Sequence, residues 1–393
     1  MRRYGWLLII GALLAGCSPA ASNRPSHPSP SAVRPETAGQ AVAVQTAAQV
    51  HMAAAWFVDP RDGWVAGPGA IWATQDGGYH WRQQYRGNAD LRAVQFVDSL
   101  HGWAWGDQRL LRTVDGGLHW QSIRLGEPMR SISWASALQG WAVSSVTGPP
   151  SSPGRLYQTV DGGEQWQPVA TPFHPLAVAF FNPETGWAVG RTTLWHSSDG
   201  GRHWTPAVRF GTASLSGAEL RVGAPDSVWL QLIGGSGMSQ TSYTVVHYSP
   251  DQGATVVAAV SGAGSGPAPD SPADAPKGPG YSPGPLVALS ASQAVLSGTC
   301  EACDLGTIAL WTTSDNGRHW QQHPPVFGAN GIPGPHALSF SDPQHGWLVD
   351  GLTTTQILAT EDGGAHWHQV FPPAPTPVSG ISFVAPQVGF GLG

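Results

Sequence analysis

The stretch RAVQFVDSLHGWAWGDQRLLRTVDGGLHWQSIRL at 92–125 holds every part of a unit that returns along the chain. An apolar run leads to a turn with Gly-Trp, a second apolar run follows, a third runs into Asp-Gly-Gly, and a fourth opens with His-Trp. The octapeptide TVDGGLHW at 113–120 comes back as TQDGGYHW, TVDGGEQW, SSDGGRHW, TSDNGRHW and TEDGGAHW, with a decayed copy SPDQGATV at 249–256. Successive turn aspartates (Asp76, Asp115, Asp161, Asp199, Asp251, Asp315, Asp362) are 39, 46, 38, 52, 64 and 47 residues apart. A basic period near 38 with insertions predicts one four-stranded propeller blade per repeat, hence an all-β fold.

Asp76, Asp115, Asp161, Asp199, Asp315 and Asp362 are read as structural. An Asp opening a hairpin turn can accept hydrogen bonds from N–H groups two and three residues on, and the glycines after it supply the positive φ that closes the turn. A catalytic role would call for one site, whereas the motif is repeated around the whole ring. First strands are predicted near Ala53, Ala93, Ser131, Ala177, Glu219, Leu286, Ala337 and Gly380, but only seven are followed by a complete unit. The propeller is therefore expected to have seven or eight blades with an incomplete last unit. The balance leans to eight, with the apolar run at 41–46 closing the last blade.

Composition narrows the partners. Only 11% of the residues are charged and the formal net charge is -6, so nucleic acid, which needs a basic field, is excluded as a partner. The first residues carry Arg2 and Arg3, an apolar run from Trp6 to Leu14, and then LAGC. That arrangement is an export signal, at 1–16, whose LAGC resembles the bacterial lipobox; the resemblance implies acylation of Cys17. A diacylglyceryl anchor would hold the protein on the extracytoplasmic face of the cell membrane. Residues 17–39, rich in Pro and Ser, read as a disordered tether, and 40–393 as the propeller, interrupted by a disordered insertion at 261–284.

Cys300-x2-Cys303-x15-His319-x3-His323 has the spacing of a Cys2His2 zinc site. His319, however, stands at the box position also held by His80, His119, His203 and His366, which explains it without a metal. A disulfide between Cys300 and Cys303 is preferred over a metal site or a redox-active pair in an exported chain. No cofactor is expected.

The motif S/T-x-D-x-G-x-x-W resembles the Asp-box, or bacterial neuraminidase repeat, shared by sialidases, sortilin-type receptors and the photosystem II assembly and stability factor family. FVDPRDGWVAG and IWATQDGGYHW, within 57–81, are most similar to the last of these. The resemblance covers about 41–393 and implies the fold more strongly than the activity. That factor family would imply seven blades. A sialidase would add an arginine triad, a Tyr nucleophile with its Glu, and an Asp acid. The sparse Glu, the 7 Tyr and the lack of an Arg-Ile-Pro signature speak against it, so the chain is read as a non-enzyme.

Insertions at 147–154, 234–242, 261–284, 328–335 and around Cys300 and Cys303 all fall on the face opposite the Asp turns, which is therefore the expected binding face. Arg92 and Arg130 align at the starts of adjacent first strands, where units one, four and seven carry Met52, Leu176 and His336. Two guanidiniums at the channel mouth would suit a partner's carboxylate. The sequence thus points to a membrane-anchored scaffold or assembly and quality-control factor that binds a protein. Surface carbohydrate binding is the alternative, and a sialidase-type hydrolase stands third.

Overall fold

The computed structural model describes residues 51–106, 108–144, 154–210, 215, 217–237, 240–260, 274, 281–300, 307–327, 335–350, 355–371, 380–385 and 388–392. These lie within one unit, Ala47–Gly393; the other, Met1–Thr46, falls outside the described residues together with Cys17 and the proposed signal and tether. Strands are the only regular elements among the described residues.

Seven antiparallel sheets follow one another at 54–86, 91–124, 129–169, 177–209, 217–260, 281–327 and 335–371, each with its four strands in sequence order. They are the blades of a β-propeller. The sixth has a short extra strand, Val326–Phe327, on its third strand. Every interface between consecutive blades holds one apolar cluster, and a further cluster joins blade 7 to blade 1, through residues such as Val349, Trp347, Phe57 and Met52. Seven blades therefore close the ring. The eighth first strand near Gly380 belongs to a separate hairpin, Gly380–Ala385 with Val388–Leu392, which pairs with no blade. The expected lean toward eight is corrected because blade 1 already packs on blade 7; the run at 41–46 lies outside the described residues.

Two expected insertions are shorter than the sequence suggested. Residues 234–237 and 240–242 extend the hairpin of strands Ser227–Gly237 and Gln240–Ser249, with Ser236 opposite Thr241. Residues 281–284 start the first strand of blade 6, Tyr281–Ala288, and within the preceding segment Asp274 accepts the Trp320 N–H at 3.0 Å.

The recurrent Phe…Gly-Trp pattern has a steric cause. The aromatic ending the first strand lies flat across the glycine of its own second strand: a Cβ on Gly63, Gly102, Gly140, Gly186 or Gly346 would stand 2.1 to 2.5 Å from Phe57, Phe96, Trp134, Phe180 or Phe340. The ring's other face stacks on the Gly-Trp indole of the preceding blade, with centroids 3.5 Å apart for Phe57 and Trp347, 3.6 Å for Phe96 and Trp64, 3.8 Å for Trp134 and Trp103, and 3.5 Å for Phe180 and Trp141. Its edge meets the box tryptophan of its own blade, as in Phe96 with Trp120 at 86°. Stacked and edge-on geometries are those the ring quadrupole favours.

With Phe96 held on three sides, it cannot yield to a methyl group. Gly102→Ala is expected to lower stability by about 1 to 3 kcal/mol, the usual cost of overpacking. Gly126→Ala, where a Cβ meets nothing within 4 Å, is expected to leave it unchanged. Denaturant unfolding of both variants checks this; equal stabilities would refute the clamp.

Candidate functional site

The box carboxylates are committed within their own turns, though by a different geometry from the one expected. The Ser or Thr two residues before each Asp is buried; its hydroxyl donates to Asp Oδ1 at 2.7 to 3.0 Å and accepts the N–H of the second glycine. Asp Oδ1 also accepts the N–H four residues on, at 2.9 to 3.0 Å. The pattern expected of the box, acceptance from residues two and three on, belongs instead to the turn between strands one and two. There Asp59, Asp98, Asn182 and Asp342 each accept two such N–H groups at 2.7 to 2.9 Å. The two turns are tied together on one face, for example by Gly116 N–H to the Leu100 carbonyl at 2.9 Å. Both box glycines have positive φ, and Asn316 takes the first glycine's place at φ 65°.

Those bonds hold the carboxylates ionised. The His119 N–H, followed by its ring, brings Asp115 down to about 2, and His203 does the same for Asp199. Asp362 is likewise held below the ordinary carboxylate range by the N–H and then the ring of His366.

The first strands of all seven blades surround a central cavity of about 610 Å³. Near its Asp-turn end, side chains bridge adjacent blades: Gln95 exchanges two hydrogen bonds with the Trp134 backbone, Ser133 Oγ accepts the Phe180 N–H, and Ser339 Oγ accepts the Phe57 N–H. Arg221 is paired with Glu219 within this lining.

At the opposite end stand Arg92 and Arg130, both exposed and both at β-bulges, where the register slips between Leu91 and Ala93 and between Met129 and Ser131. A bulge re-aims the side chain it carries. Arg92 donates through Nε and Nη2 to Asp90 Oδ2, at 3.3 and 2.8 Å. The expected equivalence with Met52 is off by one: Met52 is buried like Leu91 and Met129, and Ala53 is the residue that matches the arginines. The bulged residue breaks strict alternation, which sequence alignment on apolar positions missed. Leu176 lines the cavity as expected, and nothing is described of the His336 side chain.

Sequence reasoning also missed a set of exposed arginines on this side. Arg109 opens a third strand and Arg155 immediately precedes one, and Arg86, Arg124 and Arg209 close fourth strands, all in blades 1 to 4. The signal was present as Arg recurring at strand ends, hidden by the negative total charge.

For the zinc reading, the two histidines are engaged elsewhere. His319 Nδ1 meets Asp315 Oδ2 at 2.6 Å, and His323 Nε2 meets Thr312 Oγ1 at 2.8 Å with burial pushing its ring below the ordinary range. The Cys300 side chain and Cys303 lie outside the described residues, as does most of their loop.

The family model described as Photosynthesis system II assembly factor YCF48 matches residues 35–171, about a third of the chain, which includes blades 1 to 3. No curated protein sequence is significantly similar to the chain. Among solved structures, YCF48 from Cyanidioschyzon merolae is 18% identical, covers 79% of this chain and 95% of its own, and has a TM-score of 0.52. The GH74 xyloglucanase from Xanthomonas campestris is 16% identical with a TM-score of 0.55; it covers 80% of this chain but 52% of its own, so this chain spans about half of it. A structure described as YCF48 bound to D1 peptide is 19% identical, covers 77% of this chain and 90% of its own, and has a TM-score of 0.49. The chain is a BNR-type β-propeller; at these identities the structural likenesses establish the fold alone.

The depressed carboxylates have a consequence for stability. A carboxyl whose folded pKa lies below its unfolded value contributes stability above the unfolded value and loses it as pH falls through the folded one. With Asp115 and Asp199 at about 2 against roughly 3.9 when unfolded, the melting temperature is expected to fall between about pH 4 and pH 2. Asp115→Asn should reduce the size of that fall. A melting temperature constant over that window in the parent protein would contradict the assignment.

Proposed function

We propose that the chain is a membrane-anchored, extracytoplasmic β-propeller that binds an acidic segment of a protein partner at the channel mouth, as an assembly or quality-control factor. The observation that carries this is the placement of Arg92 and Arg130 on bulges of adjacent first strands, at the mouth of the cavity. A planar guanidinium recognises a carboxylate through two parallel hydrogen bonds, so a chain terminus or an Asp/Glu-rich loop has the matching chemistry. The arginines at the strand ends of blades 1 to 4 add long-range attraction of the same sign.

The match to an assembly-factor family over blades 1 to 3 supports the same reading. LAGC before Ser18 supports acylation of Cys17, and the Pro- and Ser-rich run after it would let the propeller reach a partner in or on the membrane. Carbohydrate binding finds less support, because no described tryptophan stands exposed as a sugar platform. Most glycoside hydrolases flank the bond with two carboxyl groups, and a sialidase needs a Tyr with its Glu and an Asp acid, whereas Glu219 is the one acidic residue, and no Tyr is present, among the described residues lining the cavity.

Cys17→Ser is expected to shift the protein from the membrane fraction to the soluble fraction or to leave its precursor unprocessed; mature protein still bound to membrane would contradict the anchor. Partners captured from solubilised membranes should bind the Arg92→Ala, Arg130→Ala variant about tenfold more weakly or worse, a loss of about 1.4 kcal/mol. The control is Arg202→Ala with Arg318→Ala, exposed arginines of the opposite face. Equal binding by both variants would remove the mouth as the binding site.

A further inference from the structure

The Asp-turn face, which the proposed function leaves unused, is unevenly built. Exposed large apolar residues stand on it in blades 1 to 4: Tyr79, then Leu100, Val114 and Leu118, then Leu138 and Val160, then Phe181, each between 45% and 65% exposed. At the box position of Tyr79 and Leu118, blades 4, 6 and 7 carry Arg202, Arg318 and Ala365. Water-exposed apolar clusters of this kind mark interaction surfaces.

Between blades 1 and 2 this surface sinks into a groove of about 770 Å³. Leu100 and Leu118 line it together with Trp64 and Trp81, and so do the carboxylates of Asp62, Asp76 and Asp115. Arg82 and His80 are the basic residues of the lining. Asp76 and Asp115 are occupied by their box bonds, but Asp62 is different. It stands just before Gly-Trp, where blades 2, 3, 4 and 7 have His101, Gln139, Thr185 and His345. Its carboxylate accepts no hydrogen bond from the described residues, and burial, followed by the neighbouring Asp59, raises its pKa above the ordinary value.

The interface beneath the groove is also left incomplete. At three other blade junctions the Gly-Trp indole donates to a glycine carbonyl of the adjoining Asp turn: Trp103 to Gly162, Trp141 to Gly200 and Trp347 to Gly77, at 2.8 to 3.0 Å. Between blades 1 and 2 the corresponding Gly116 carbonyl is taken by Gln84 Nε2 at 2.8 Å. The indole N–H of Trp64, a residue 4% exposed in the groove wall, and Gln84 Oε1 are left buried without a partner. Unpaired buried polar groups beside an unpaired carboxylate and an exposed apolar rim describe a surface whose complement is missing.

We infer that this groove is a second docking site, for a polypeptide segment that places an Arg or Lys side chain against Asp62 and an adjacent apolar side chain against Leu100 and Leu118. The charge of the lining selects a cation, since three carboxylates face one arginine and one histidine, the histidine already bonded to Asp76. The exposed leucines supply the apolar contact that a free cation lacks. This goes beyond the proposed function: the two sites lie on opposite faces and take opposite charges, so one propeller could hold an acidic and a basic-apolar segment at once.

The test uses the full chain and two labelled peptides, acetyl-Arg-Leu-Arg-Leu-Arg-amide and its Glu-for-Arg counterpart, followed by fluorescence anisotropy. The arginine peptide should bind saturably with one-to-one stoichiometry and the glutamate peptide should not compete for it. Asp62→Asn should weaken the arginine peptide about tenfold, the worth of one charged hydrogen bond. Leu118→Asn, at an exposed loop position that leaves folding intact, should weaken it by a similar factor, roughly that of burying a leucine. Arg92→Ala with Arg130→Ala should leave it unchanged, which separates this site from the channel mouth. Binding that is insensitive to Leu118→Asn, or equal for the two peptides, would overturn the proposal. So would concentration-dependent self-association abolished by Leu118→Asn with no peptide binding, since the occupant would then be a second copy of the chain.

Discussion

The structure depends on one contact repeated at four of the seven blade junctions, from blade 7 on blade 1 to blade 3 on blade 4: the aromatic at the end of a first strand, held between the glycine of its own second strand and the Gly-Trp indole of the preceding blade. The glycine lets the ring lie flat, and the flat ring gives the next indole a face to stack on. Phe and Trp side chains each bury about 150 to 250 Å², so such contacts dominate core energetics. Because the same contact joins blade 7 to blade 1, closure needs no exchanged strand. Phe57 on Trp347, the Trp347 indole on the Gly77 carbonyl, and Met52 N–H on Thr355 Oγ1 seal the junction.

That contact also fixes which face can vary. The second box glycine is where the preceding blade presses in: a Cβ on Gly78 would meet Val370, one on Gly163 would meet Leu110, and one on Gly317 would meet Val257. The turn between strands one and two is bonded to the Asp turn beside it. Backbone on this side is thus committed to packing, and what differs between blades is carried by the few outward side chains, such as Tyr79, Leu118 and Asp62. At the opposite end the first strands of blades 2 and 3 bulge at their starts and present Arg92 and Arg130.

Much of this was legible in the sequence. The Asp-box and Gly-Trp spacing predicts the blades, and the first strands fall where the apolar runs place them. What was not legible depends on contacts between repeats. The box Asp and the Asp of Phe-x-Asp look alike in sequence, yet the preceding Thr or Ser hydroxyl redirects the first to an N–H four residues on, leaving the two-and-three pattern to the second. An eighth first strand was readable near Gly380 because patterning does not say when a ring is full; the packing of blade 1 on blade 7 does. The one-residue error at Met52 came from a bulge, which keeps the apolar pattern on either side while shifting its phase. The weak repeats of blades 5 and 6 follow from the same contact, since Val222 and Ala288 stand where other blades have an aromatic ring. The indoles of the preceding blades, Trp187 in blade 4 and Trp229 in blade 5, pair with His196 and His247 of their own blades instead.

The most direct test of the interlock is a double-mutant cycle on Trp347→Ala and Phe57→Ala at the junction that closes the ring, read by equilibrium unfolding. The stacked pair should show a coupling of about 0.5 to 1.5 kcal/mol, so that the double variant is less destabilised than the sum of the singles. Strictly additive losses would mean that the two rings stabilise their blades independently, contradicting the claim that their contact closes the propeller.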